Sequence, residues 1–194
     1  MKEAGNHTAG DDASSAVDLA PGAEFGIAHQ ITAFIEVLLV GVWLGSMIFF
    51  SFAVAPSAFA VLPTRELAGA MVTSTIGKVE VLGLVIGPLL ILIQTASWRA
   101  RSSSNVSKTF QVVFILFMIS AAALSRFWIS PQMVSLRAAM GGHIDDVSAG
   151  DPLRVQFNSL HQYSVALMSA AIIAGVLVLF LTIRSWRSSK RFLP

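Results

Sequence analysis

The sequence contains no cysteine, a single tyrosine, and charged residues at only 12% of 194 positions. Without cysteine there can be no disulfide framework, no thiolate metal centre and no dithiol redox couple. A soluble domain carries roughly 25% charged residues, and half that number could not cover a globule of this size. The few charges are also segregated, because Glu36 alone lies well inside a long apolar stretch while the others fall at the ends of such stretches or between them. That distribution is the signature of a polytopic membrane protein. No phosphate-binding glycine loop, nucleophile elbow or HExxH pattern occurs, so the residues give no support to a hydrolase or kinase, and the chain is expected not to be an enzyme. The excess of Lys and Arg lies beside apolar segments, where the positive-inside rule accounts for it without nucleic acid.

What is present is hydrophobicity in four blocks. The hydropathy pattern predicts an all-α fold, an integral membrane four-helix bundle, with the lipid bilayer as its partner. Residues 1–26 read as a disordered cytoplasmic tail, residues 27–184 as the membrane domain, and residues 185–194 as a basic cytoplasmic tail. The spans are expected at about 27–55, 79–98, 109–129 and 163–183. Pro56 is taken as the end of the first because it cannot continue the hydrogen-bond ladder, and Pro88 should kink the second unless neighbours satisfy the freed carbonyl. Residues 57–78 read as a short interfacial helix or an outer extension of the second span. The connection between spans three and four has turn-forming glycines around short helical turns at 134–140 and 153–160. Eight Lys or Arg fall on the side of both termini and five on the other. This bias predicts a multi-pass protein of the cell membrane with both termini in the cytoplasm.

Glu36 lies about nine residues, roughly 13 Å of helical rise, into the first span, and His29 lies two turns before it on the same face. This pair suggests a proton or cation path; a Glu36 hydrogen-bonded to Gln94 or a Ser/Thr, locking helices together, is the alternative. On the opposite side, Glu80, Arg126 and His161 fall at similar depth, with Asn158 nearby. They form a candidate site for an anionic or polar ligand, or else an ion-paired lid over the helix ends. His29 and His161 should lie on opposite sides of the ~30 Å hydrocarbon layer, so they do not make a shared haem or copper site, and no metal ligand set or cofactor is expected. The methionines follow no regular spacing and read as packing or lipid-facing residues. Small-residue spacings at Gly41/Gly45, Gly83/Gly87 and Ala171/Gly175 allow close helix contact, within the bundle or between copies in a homo-oligomer.

Two blocks carry a family resemblance. The run GSMIFFSFAVAPSAFAVLPTRELAGAMV at 45–72, and SRFWISPQMVSLR with the later RVQFNSLHQYSV between 125 and 165, resemble the transmembrane protein 205-like family, also catalogued as the domain of unknown function 4149. More distantly, His29 followed by GVWLGSMIFF is similar to the opening of copper-resistance D-type four-helix membrane proteins, some of which bind haem. The first resemblance implies a small four-helix membrane protein handling a small solute, ion or metal compound. The second implies a haem- or copper-binding redox protein. A structural or partner-binding role without catalysis is the third reading.

Overall fold

The computed structural model describes residues 21–98, 104–141 and 144–189. The expected tails at 1–26 and 185–194 fall largely outside them. Among the described residues the structure is helical, with no strand: α1 (Pro21–Phe49), a π-helical turn (Phe50–Val54), α2 (Ala55–Val61), α3 (Arg65–Ala96), α4 (Asn105–Leu124), a second π-helical turn (Ser125–Ile129), α5 (Ser130–Ala139), a single 3-10 turn (Ile144–Asp146) and α6 (Pro152–Ser189). Thr64 and Ser104 cap α3 and α4, each accepting a backbone N–H two or three residues into its helix.

Four segments are long and apolar enough to cross a membrane: Gln30–Val61, Arg65–Ala96, Asn105–Ala139 and Pro152–Ser185. The chain is therefore a multi-pass membrane protein built as an all-α four-helix bundle. The spans run 32 to 35 residues, about 50 Å at the α-helical rise, and overshoot a ~30 Å hydrocarbon core. The excess lies at the end away from the termini, here called distal. There α2, α5 and the first turns of α3 and α6 form a helical crown. The first turn of α1, the end of α3, the start of α4 and the end of α6 lie at the opposite, proximal end.

The helices run further than hydropathy predicts, for a physical reason at two prolines. Pro56 and Pro131 each follow a π-helical turn by two residues, where Ala55 N–H bonds to Phe50 O and Ser130 N–H bonds to Ser125 O. The widened turn gives the proline ring room and leaves no donor position empty, so the chain continues in helix where a proline in an ordinary α-helix would break it. Residues 57–61 accordingly belong to α2, and after a bend at 62–64 residues 65–78 form the outer part of α3, the outer-extension alternative rather than a separate interfacial helix. Residues 134–140 and 153–160 likewise continue the third and fourth spans. Pro88 lies on the exposed face of an uninterrupted α3.

Neighbouring helices pack in the cyclic order α1, α3, α4, α6, so that α1 stands diagonal to α4 and α3 diagonal to α6. The diagonal partners share one pattern. Buried positions of α1 reappear in the third span at a constant offset of 75: Glu36 and Gln111, Val40 and Ile115, Trp43 and Met118, Phe50 and Ser125. The π-helical turns and their prolines keep the same offset. In α3 and α6 the offset is 88: Gly83 and Ala171, Ile86 and Ala174, Gly87 and Gly175, Leu90 and Val178, Gln94 and Thr182. Two helical hairpins of one design are thus related by a pseudo-two-fold axis down the bundle, and the longer distal connection of the second accounts for the change of offset.

Close approach explains the small residues. A Cβ on Gly83 would lie 2.5 Å from Trp43 Nε1, and one on Gly87 would overlap Ile119; Gly175 faces Leu44 and Met118. Gly41 and Gly45, by contrast, have nothing within 4 Å and lie on the outer face. Two of the three small-residue spacings serve packing inside the bundle.

Candidate functional site

Trp43, Gly87, Met118 and Gly175 share one level at the middle of the bundle, as their contacts through Ile119 and Leu44 show. Seven residues, two turns or about 10 Å of rise, bring each helix to a second layer on the same face. Toward the proximal end that layer is Glu36, Gln94, Gln111 and Thr182, one from each span. All four are buried, with exposures of 0%, 2%, 0% and 0%. Gln94 Nε2 and Thr182 Oγ1 have no hydrogen-bond partner among the described residues. Beyond it, Ser185 is buried with its hydroxyl donating to Thr182 O at 2.8 Å. Lys108, one turn before Gln111, is also buried; its ammonium donates to Trp98 O at 2.7 Å and lies 5.7 Å from the Trp98 ring centroid. It covers the proximal mouth of the bundle with a cation snorkelling to the interface.

Toward the distal end the same seven-residue step gives Phe50, Glu80, Ser125 and Met168. Glu80 is 3% exposed. The Ser125 hydroxyl donates to its Oε1, while Oε2 has no hydrogen-bond partner. Arg126 lies near enough to act on its charge, and Ser130 is close by. Between this layer and the middle one is a cavity of about 30 Å³, with Ser164 and Leu167 from α6 in its wall. By size it admits one water molecule.

The structure thus places the sequence-derived candidates unequally. Glu80 and Arg126 are neighbours. His161 and Asn158 are exposed on α6, and no hydrogen bond links His161 to Glu80 or Arg126 among the described residues. Arg126 itself is exposed beside an open groove of about 350 Å³ with Thr73, Ser130 and Ser135. Arg137 lies in the crown against Gly69, with its guanidinium 5.7 Å from the Phe157 ring centroid. Glu36 is joined at its depth by Gln94, which the sequence named, by Thr182, one of the Ser/Thr residues it offered without number, and by Gln111, which it did not offer. The His29 side chain lies outside the described ones. Among the described residues no group of three or more His, Cys, Asp or Glu could hold a metal ion.

Gln111 and Thr182 were legible only through the constant offsets between the two hairpins, since a single neutral polar residue barely alters the hydropathy of an apolar run. Trp128 and Tyr163, exposed at the distal end, and Lys108, twenty positions or about 30 Å before Trp128 along the third span, mark levels that fit a hydrocarbon core. Both polar layers therefore lie about one turn inside those levels, separated by an apolar middle built on Val40, Trp43, Leu44, Leu90, Ile115, Met118 and Val178.

Searches among curated proteins and among solved structures give no match to the chain. Residues 38–141, which include the first span from Leu38 onward, all of α3 and the third span with its π-helical turn, match the model of a domain of unknown function, DUF4149. With more than half of its length in that match, the chain belongs to the DUF4149 family.

Proposed function

We propose that the protein handles a small ion or polar solute in the membrane, and that the solute engages the proximal layer with Glu36 as the charge-bearing group. One observation carries this reading: each of the four spans places a buried polar side chain at one depth, and two of those side chains, Gln94 and Thr182, have unpartnered polar atoms. Polar groups in hydrocarbon are expensive, and an ionisable one facing the bundle interior is the usual mark of an ion or substrate pathway. Helix association alone needs only the small residues that Gly83, Gly87 and Gly175 already supply.

The buried Lys108 and Ser185 cover the layer on the proximal side, and the apolar middle closes it from the distal side. A solute bound there reaches the far side only if the Trp43 level rearranges. A second reading, in which the layer fixes helix register and moves nothing, is favoured by that same closure. Purified protein in vesicles with an imposed proton or sodium gradient separates the two. The transport reading expects an ion flux that falls to the level of empty vesicles in Glu36→Gln and to an intermediate level in Gln94→Leu. A wild-type flux equal to that of empty vesicles would leave the register reading in place.

The finer assignment to the transmembrane protein 205-like proteins rests on the blocks at 45–72 and 125–165. Placement in the cell membrane with cytoplasmic termini is supported by the basic residues of the 99–108 loop and the C-terminal segment.

A further inference from the structure

Two arginines of the third span rest on one face of α3 at the distal end. A Cβ on Gly77 would stand 3.6 Å from Arg126 Nη1, and one on Gly69 would stand 2.8 Å from Arg137 Nη2. The two glycines are eight residues, about 12 Å of helical rise, apart, and Thr73 falls midway between them on the same face. The open groove of about 350 Å³ occupies this interval: Thr73 forms one wall, Ser130, Val134 and Ser135 the other, Arg126 the inner end, and Ala138, next to Arg137 in the chain, the outer end.

The groove is positive. No residue lining it is acidic. Glu80 acts on Arg126 from inside the bundle, where it is 3% exposed, and one carboxylate set against two guanidiniums leaves an excess cation. Arg137 stacks over the Phe157 ring, and its Nε is buried without a hydrogen-bond partner.

Depth and donor pattern narrow the ligand. Arg126 is two residues from the exposed Trp128, which marks the distal edge of the hydrocarbon, and the groove runs outward from there into the headgroup region. A guanidinium at that edge is built for a phosphodiester, which it binds through two parallel N–H donors. Further out, the Thr73 hydroxyl donates to Gly69 O at 2.7 Å and the Ser135 hydroxyl to Gln132 O at 2.9 Å. Their protons are engaged, so their oxygens are left to accept, which suits the O–H groups of a polyol. The Arg137 cation beyond them disfavours the ammonium of a choline or ethanolamine headgroup by like-charge repulsion.

We propose that this groove binds the headgroup of an anionic phospholipid of the distal leaflet, of the phosphatidylglycerol type, with its phosphodiester on Arg126 and its polyol against Thr73 and Ser135. The groove lies on the outside of the bundle, so lipid binding there is independent of the flux assigned to Glu36.

The test is native mass spectrometry of the full chain released from dodecyl maltoside micelles doped with dioleoyl phosphatidylglycerol, dioleoyl phosphatidylcholine or both, with and without millimolar inorganic phosphate. One phosphatidylglycerol per chain is retained in preference to phosphatidylcholine, and phosphate does not displace it. Arg126→Gln weakens the binding by about 10–100-fold, as loss of a hydrogen-bonded charge does, and Arg126→Lys, which keeps the charge without the fork, by less. Val134→Trp, at a position 52% exposed, fills the groove without altering a charge and also loses the lipid, with an unchanged far-UV circular dichroism spectrum. Lys78→Gln removes an exposed cation of α3 outside the groove and changes the affinity by about twofold or less. Equal retention of the two lipids, or equal weakening by Lys78→Gln and Arg126→Gln, would overturn the proposal and leave only lipid bound non-specifically around the bundle. Displacement of phosphatidylglycerol by inorganic phosphate would overturn the lipid assignment in favour of a free anion.

Discussion

Replacing Gly83 by alanine tests the packing on which both polar layers depend. The added Cβ would stand 2.5 Å from Trp43 Nε1, 2.7 Å from Cε2 and 2.8 Å from Cζ2. The indole is rigid and 2% exposed, so it cannot yield by rotating a free chain end. Overpacking of this kind costs about 1–3 kcal/mol, against which alanine regains about 1 kcal/mol of helix propensity. The expected net loss is about 0–2 kcal/mol. Gly69→Ala is the control for proximity without rigidity: its Cβ would lie 2.8 Å from Arg137 Nη2, the end of a flexible side chain, and the change should be within about 1 kcal/mol of neutral. Gly45→Ala, with nothing within 4 Å, should match or exceed wild type. Unfolding in dodecyl maltoside micelles by added SDS, followed by far-UV circular dichroism, ranks the three. In a Trp43→Phe background the Gly83→Ala penalty should shrink, because the offending atoms belong to the indole and are missing from a phenyl ring. Equal stability of Gly83→Ala and Gly45→Ala, or an undiminished penalty in the Phe background, would refute the reasoning.

Ser125→Ala removes the hydroxyl that donates to Glu80 Oε1; the same SDS titration should register a loss of about 1–3 kcal/mol, and a variant as stable as wild type would show that the bond contributes nothing. Topology can be read by introduced cysteines, since the chain has none of its own: Ser148→Cys in the distal connection should react with an impermeant maleimide on intact cells, and Ser104→Cys only after permeabilisation, with the opposite pattern inverting the proposed orientation. Glu36→Gln should abolish the vesicle flux assigned to the proximal layer.

The spans were legible in the sequence because each contains a long apolar run, and Glu36 stood out as the one charge inside such a run. Their lengths were not, because Pro56 reads as a terminator unless the preceding turn is known to be π-helical, and turn width leaves no trace in hydropathy. Arg65, Glu66 and Lys78 lower the mean hydropathy of 57–78 even though these residues are helical. At the distal site, the depth argument that grouped Glu80, Arg126 and His161 fixes height but not direction around the helix. The structure puts Glu80 inward, with Arg126 and His161 exposed on the outside. The methionines read as packing or lipid-facing groups, and Met47 and Met118 are core residues with Met168 packed against them, though spacing within one helix did not show that these three meet.

The pseudo-two-fold design explains which features are structural and which are particular. At the middle level the equivalent side chains are Trp43 and Met118, and the larger one faces two glycines, Gly83 and Gly87, where the smaller faces Ala171 and Gly175. Volume is thus exchanged between facing helices, as close packing in a membrane requires. In the proximal layer both equivalent pairs, Glu36 with Gln111 and Gln94 with Thr182, remain polar, so polarity there belongs to the shared hairpin design. In the distal layer the pairs differ in kind: Glu80 answers to Met168, and Ser125 to Phe50. The Ser125–Glu80 bond thus joins the two hairpins through side chains that have no like counterpart across the axis.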